Sequence, residues 1–209
     1  MPRQPRAGLL RVHLEDGSLS SFAVATPEEP GRWLSESCWD FAFGTPSLFV
    51  SRMEKGTVRR AIEAMAHEMG GYWLRYYNSR GRVSWVGRTL GSPGGGQAEA
   101  LRVVSVALTE AYPPRRPAQA CGVVQVRVSD GREFSLLAAT PAWFERAFSK
   151  FGLEFYFGPL VLFVGSLEPL TARRAARAMA AQGDLWFCLY DTPRTTLPQV
   201  LAAFKSRHE

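Results

Sequence analysis

Residues 12–77 align without a gap to residues 126–191, at a constant offset of 114, and 24 of the 66 paired positions are identical. The identities fall on residues with different physical tasks. Asp16-Gly17 matches Asp130-Gly131, and Ala25-Thr26-Pro27 matches Ala139-Thr140-Pro141. Phe41, Phe43 and Gly44 match Phe155, Phe157 and Gly158, and Leu48-Phe49-Val50 matches Leu162-Phe163-Val164. Thr57, Arg59, Arg60 and Ala61 match Thr171, Arg173, Arg174 and Ala175, and Ala64-Met65-Ala66 matches Ala178-Met179-Ala180. Turn, cap and core positions thus recur together. A fixed period constrains a fold more than any single motif. This one implies a tandem duplication of a unit of about 70 residues.

Each copy reads as β-β-α-β-β-α-β. Apolar alternation over 12–15 and 18–25 flanks Asp-Gly, a strong hairpin signal. Thr26 and Thr140 stand as N-caps, each followed by a proline suited to the first helical turn. Pro30-Gly31 shortens or delays that helix in the first copy. Two short apolar strands follow, at 41–43 and 48–52 and again at 153–157 and 160–165, each pair split by a Gly/Pro turn. A second helix over about 56–69 places Val58, Ala61, Ile62, Met65 and Met69 on one face. Strands at 72–77 and 186–190 close the units. Amphipathic helices are expected after each copy, at Gln97–Tyr112 and Leu197–Arg207.

The resulting expectation is an α+β fold, a mostly antiparallel sheet with helices on one face. The order left after dropping the first strand is ferredoxin-like. That first strand, however, competes for the edge of the central strand. The chain divides into a first unit at 9–78, a basic insertion with a helix (about 97–112) and a Pro/Arg linker at 79–120, and a second unit with its terminal helix at 121–209.

Charge is unevenly spread. The net charge is +6. Residues 1–78 are balanced, residues 79–120 net +4, and residues 121–209 net +2. Only three of the 25 basic residues are lysine. Arginine suits bidentate contact with phosphate or carboxylate and stacks on aromatic faces. A GC-rich coding sequence and a solvated surface would give the same bias. No apolar run approaches the roughly 18 residues of a membrane helix. The basic N-terminus lacks the apolar core of a secretory signal. Cys38, Cys121 and Cys188 make neither a CxxC pair nor an even disulfide framework. The expectation is a soluble, cytoplasmic protein with no membrane partner.

Catalytic chemistry is thinly supplied. His13, His67 and His208 lie at no metal-ligand spacing, so no metal is expected. Asp16 and Asp130 belong to turns, and Glu54 and Glu168 precede helices, where the helix dipole favours acid. Cys188, in phase with Trp186 and Tyr190 on a strand, reads as a core residue. Gly94-Gly-Gly96 precedes Gln-Ala-Glu rather than Gly-Lys-Ser/Thr, so it is no Walker loop. No cofactor and no catalytic residue is assigned.

Binding chemistry is better represented. On the strand 72–77, Trp73 and Arg75 share one face, and Arg80, Arg82, Trp85 and Arg88 follow. Aromatics interleaved with arginine suit stacked bases and phosphates. Arg173, Arg174 and Arg177 form a second cluster on the helix of the second copy, where no acid is in sequence reach. In the first copy Glu63 offsets Arg59 and Arg60. These nine residues constitute the expected nucleic-acid surface of a non-enzymatic binding protein. The alternatives are a protein-interaction module with an acidic protein partner, such as an immunity or adaptor protein, and an enzyme with its site at the cleft between repeats.

Overall fold

The computed structural model describes residues 7–13, 17, 19–44, 47–67, 85–86, 101–112, 116–183 and 185–191. The first described elements form a hairpin, as expected from Asp-Gly. Strand β1 (Ala7–His13) pairs antiparallel with β2 (Leu19–Ala25), from Ala7 opposite Ala25 to His13 opposite Leu19. Gly17 in the turn has φ 80°, and Gly131, at the matching place in the second half, has φ 88°. Both values lie where a side chain clashes with the backbone and glycine does not.

Helix α1 (Glu29–Glu36) then leads to β3 (Phe41–Gly44), β4 (Ser47–Val50) and α2 (Lys55–His67). After β5 (Trp85–Val86) and β6 (Val103–Tyr112), a short 3-10 turn (Pro117–Gln119) enters the second half. That half comprises β7 (Cys121–Val128), β8 (Glu133–Ala139), α3 (Pro141–Phe151), β9 (Phe155–Tyr156), β10 (Val161–Val164), α4 (Pro169–Ala180) and α5 (Leu185–Tyr190). Both ends of β2 and β4 lie 114 residues before those of β8 and β10.

The fold is α+β, with two mixed, mostly antiparallel sheets. One has the order β1-β2-β4-β9, the other β5-β3-β10-β8-β7-β6. In each half the hairpin's second strand runs parallel to a later strand, β2 to β4 and β8 to β10. A parallel pair requires a crossover of a dozen or more residues, which the intervening helix supplies. The halves also trade a strand. β3 pairs with β10 of the other half, and β9 pairs with β4. The trade is sealed by Ser51 N–H donating to Glu154 O and Gly165 N–H donating to Asp40 O, each at 2.8 Å.

Three cores follow from the two-residue period of the strands. Phe49 and Phe163 point into a core shared by both sheets, with Leu34 of α1 and Trp143, Phe144, Ala147 and Phe148 of α3. Their neighbours point the opposite way. Leu48 and Val50 meet Ala61 and Met65 of α2. Leu162 and Val164 meet Ala172, Ala175, Ala176 and Met179 of α4 and Phe187 of α5. Both faces are therefore buried at the central strands β4 and β10, and the expectation of helices on one face is corrected. So is the ferredoxin-like order. β1 and β7 occupy the edges that the fourth ferredoxin strand would need.

Three further expectations fail for physical reasons. Residues 103–112, expected in a helix, form β6. Its pairing with β7 slips between Val103 and Ser105 and between Leu108 and Glu110. Each bulge inserts a residue, so the apolar contacts fall at Val103, Val106, Leu108 and Ala111. That spacing lies between a strand's period and a helix's. Residues 186–190, expected as a strand, lie in α5. Both edges of β8 are already paired, and the run packs on the sheet face instead, Phe187 stacked on Phe134 at 5.1 Å. Cys188 is consequently exposed rather than in the core. Thr26 does not cap α1. Its carbonyl accepts from Glu29 N–H in a turn, and the helix starts late, with Glu28 as N-cap. Thr140 does cap α3, its hydroxyl accepting from Trp143 N–H at 3.3 Å. The expected strand at 72–77 and helix at 197–207 lie outside the described residues.

Candidate functional site

Helix α4 is built from alanine and arginine, two of the strongest helix formers. Pro169 occupies its first turn, where a missing N–H costs nothing. Ala172, Ala175, Ala176, Met179 and Ala180 are buried against the sheet, which leaves Arg173, Arg174 and Arg177 exposed on the other side.

The three arginines are not equivalent. Arg174 Nη1 donates to Asp40 Oδ2 at 2.8 Å, although Asp40 belongs to the other half. The expectation that no acid is near this cluster is therefore corrected. Arg60, the matching residue on α2, pairs with Glu154, again across the halves. That contact holds the Arg60 guanidinium above its ordinary pKa, mainly through the hydrogen bond to Glu154. Arg59 stays within its own helix, donating to Glu63 at 2.8 Å. Among the described residues, Arg173 and Arg177 enter no ion pair. They sit one helical turn apart, on one face.

Asp40 and Glu154 carry no sequence motif that singles them out. They are also 114 residues apart, each just before the aromatic strand that crosses to the other half. The signal is an acid aligned with an acid, but Asp against Glu does not register as an identity.

Of the other expected site residues, Trp85 lies in β5, opposite Gly44 at the β3 edge of the sheet that α4 covers. Trp73, Arg75, Arg80, Arg82 and Arg88 lie outside the described residues. The structure thus puts Trp85, Arg173, Arg174 and Arg177 on one sheet assembly and gives Arg174 to the inter-half contact.

A cleft of about 340 Å³ does open between the halves. Pro27, Glu28, Ser51 and Arg52 line one side, and Glu145, Phe148, Ser149 and Leu153 the other. Partial burial, with Glu28 as a second cause, pushes the Glu145 carboxyl above its ordinary pKa. Nearby in sequence, Glu29 is fully buried and bonded to Arg32 at 2.8 Å through one oxygen only. Cys121 is buried at the start of β7, and its thiol is pushed up to about 12 by that burial, so it has no thiolate to offer near neutral pH. Among the described residues no three His, Cys, Asp or Glu side chains gather as a metal site. No described helix is long and apolar enough to cross a membrane. Comparison with protein-family models, with curated proteins and with solved structures gives no match to this chain.

Proposed function

We propose that the chain is a tandem duplication of one α+β unit that works as a non-enzymatic, cytoplasmic nucleic-acid-binding protein. The duplication reading draws support from the matched element bounds, the traded strands and the paired Arg60–Glu154 and Arg174–Asp40 contacts. One observation carries the ligand reading. Arg173 and Arg177 stand exposed on α4 with no carboxylate partner among the described residues, over the sheet whose edge carries Trp85. Guanidinium groups held outward in this way fit phosphate oxygens bidentately. The basic stretch around Arg80, Arg82 and Arg88, with Trp73 and Arg75, extends the same ligand surface in this reading.

The test is fluorescence anisotropy with labelled single-stranded and duplex oligonucleotides over a salt series. Log affinity should fall linearly with log salt, because each neutralised phosphate releases counterions. Replacing Arg173 and Arg177 with Ala should reduce the slope by about 0.7–0.9 for each phosphate that is no longer neutralised, without moving the thermal midpoint. Absence of binding at low salt overturns the reading. A protein-interaction module is the second reading, and the exposed outer edge of β1 favours it.

A further inference from the structure

Strand β7 and strand β1 start at matching positions in the two halves, but their outer edges differ. β7 is covered by β6, which runs antiparallel to it from Val103 opposite Val128 to Tyr112 opposite Cys121. Among the described strands, β1 is the last of its sheet. Along it only Leu10 and Val12 are even partly buried, and Leu9 is 45% exposed.

Glycine marks the covered edge. β6 bulges between Leu108 and Glu110, and there the Glu110 carbonyl comes down on Gly122. A Cβ at Gly122 would collide with that oxygen and lie 3.0 Å from Leu167 Cδ2. Gly122 is thus required by the strand lying on it. The residue at the matching position of β1 is Gly8. Among the described residues nothing requires it. A Cβ at Gly8 would meet only Met53, at 3.8 Å, and Gly8 is not in the left-handed region. A strand interior with a needless glycine is weaker by entropy alone.

The helices above the two edges agree. α4 packs on β6 as well as on β3 of the same sheet, and Ala172 and Ala176 are 2% and 0% exposed. The matching residues of α2 are the larger Val58 and Ile62, and both are only partly buried. With Leu10 and Val12 they leave an apolar margin beside β1, on the side where β6 lies in the other half.

We propose that the outer edge of β1 docks an extended segment of a partner protein, added antiparallel and bulged over Gly8, as β6 is added to β7. Main-chain hydrogen bonds would supply affinity and alternate side chains selectivity. The occupant's chemistry follows from β6 and β1. Residues 103–112 are aliphatic at the inward positions and carry Glu110 but no cation. β1 carries Arg11 and no carboxylate. Arg11 matches Gln125, which faces Ala107 of β6. An acid at the Ala107 position of an incoming strand would therefore face Arg11. This docking site is on β1 and α2, apart from the arginines of α4, so it does not depend on the nucleic-acid reading.

The probes are a labelled synthetic peptide of residues 103–112 and the same peptide with A107E. With the full chain, both should bind saturably, the A107E peptide more tightly at low salt. Hydrogen exchange should slow in residues 7–13 and stay unchanged in 121–128. Gly8→Val should abolish binding and leave the thermal midpoint at or above that of the parent. Four results overturn the proposal: no peptide binding, equal affinity of the two peptides, binding indifferent to Gly8→Val, or a Gly8→Val chain that unfolds at lower temperature. A dimer in size-exclusion chromatography that Gly8→Val dissociates also overturns it, because the occupant is then a second copy.

Discussion

Helices α1 and α3 hold matching places in the two halves and do different amounts of work. α3 runs eleven residues, starts on a capped threonine and ends on Gly152 at φ 61°. It buries Trp143, Phe144, Ala147 and Phe148. α1 runs eight residues, lacks a side-chain cap and buries Glu29, Pro30 and Leu34. The difference traces to one place in the alignment. Pro30-Gly31 stands where the second half has Phe144-Glu145. Proline cannot donate to a helix that has already begun, so α1 begins around it. Aligned segments do not need to form two equal helices. One of them fills the shared core, and the other only closes it.

The largest test of that asymmetry is Phe144→Ala. Phe144 has no exposed surface. Its ring lies 4.8 Å from Phe49 of one sheet and 5.2 Å from Phe163 of the other. Truncation should cost about 3–5 kcal/mol in urea unfolding, and Leu34→Ala on α1 about 2–3. Equal losses at the two positions would mean that α1 and α3 share the core evenly.

Caps give a smaller contrast at the same helices. Thr140→Ala removes the acceptor for Trp143 N–H and should lower stability by about 1 kcal/mol. Thr26 is also buried, but its hydroxyl has no hydrogen-bond partner. Thr26→Val should therefore be neutral or slightly stabilising, because it removes a desolvated polar group without breaking a bond. Calorimetric midpoints of the two variants check this. A loss at Thr26 equal to that at Thr140 would show that the threonines do the same job.

What is legible in the sequence follows from how locally each feature is specified. The Asp-Gly turns, the Thr140-Pro141 start of α3 and the one-sided apolar pattern of α2 depend on neighbours in the chain, and they are readable. Ala61 and Met65 are indeed buried and His67 exposed. The traded strands are not readable. Phe41–Gly44 and Ser47–Val50 look like a hairpin, and nothing local says that each pairs with the other half. β6 and α5 mislead because their patterns answer to bulges and to edges already taken. The candidate site divides the same way. The Arg59-Arg60 and Arg173-Arg174 repeat is visible, but a partner more than ninety residues away, such as Glu154 for Arg60 or Asp40 for Arg174, is not. One arginine of each pair is a clasp between halves, which leaves the ligand reading on α4 to Arg173 and Arg177.

The smallest effect concerns Glu145, which lines the cleft and sits beside residue 31. Gly31 matches Glu145 and faces it. A Cβ on Gly31 would meet Pro141 Cβ at 3.3 Å and Glu145 Oε1 at 3.5 Å. Glycine there spares a tight contact with Pro141 beside the Glu145 carboxylate, which partial burial and then Glu28 push above its ordinary pKa. The folded chain therefore holds this proton more tightly than the unfolded chain does. Unfolding releases it in the interval above the ordinary glutamate value of about 4.3, so this group makes stability fall as pH rises through that interval. Glu145→Gln keeps the shape and removes the charge. The variant should melt slightly above the parent at neutral pH, and its advantage should shrink as pH drops toward about 4. Glu28→Gln should reproduce part of the gain, because it removes the second cause. Thermal midpoints across that pH range decide the matter. A Glu145→Gln chain that melts below the parent at neutral pH would mean that the carboxylate is held by a favourable contact, and the cleft would then be a stabilising junction between the halves rather than a strained one.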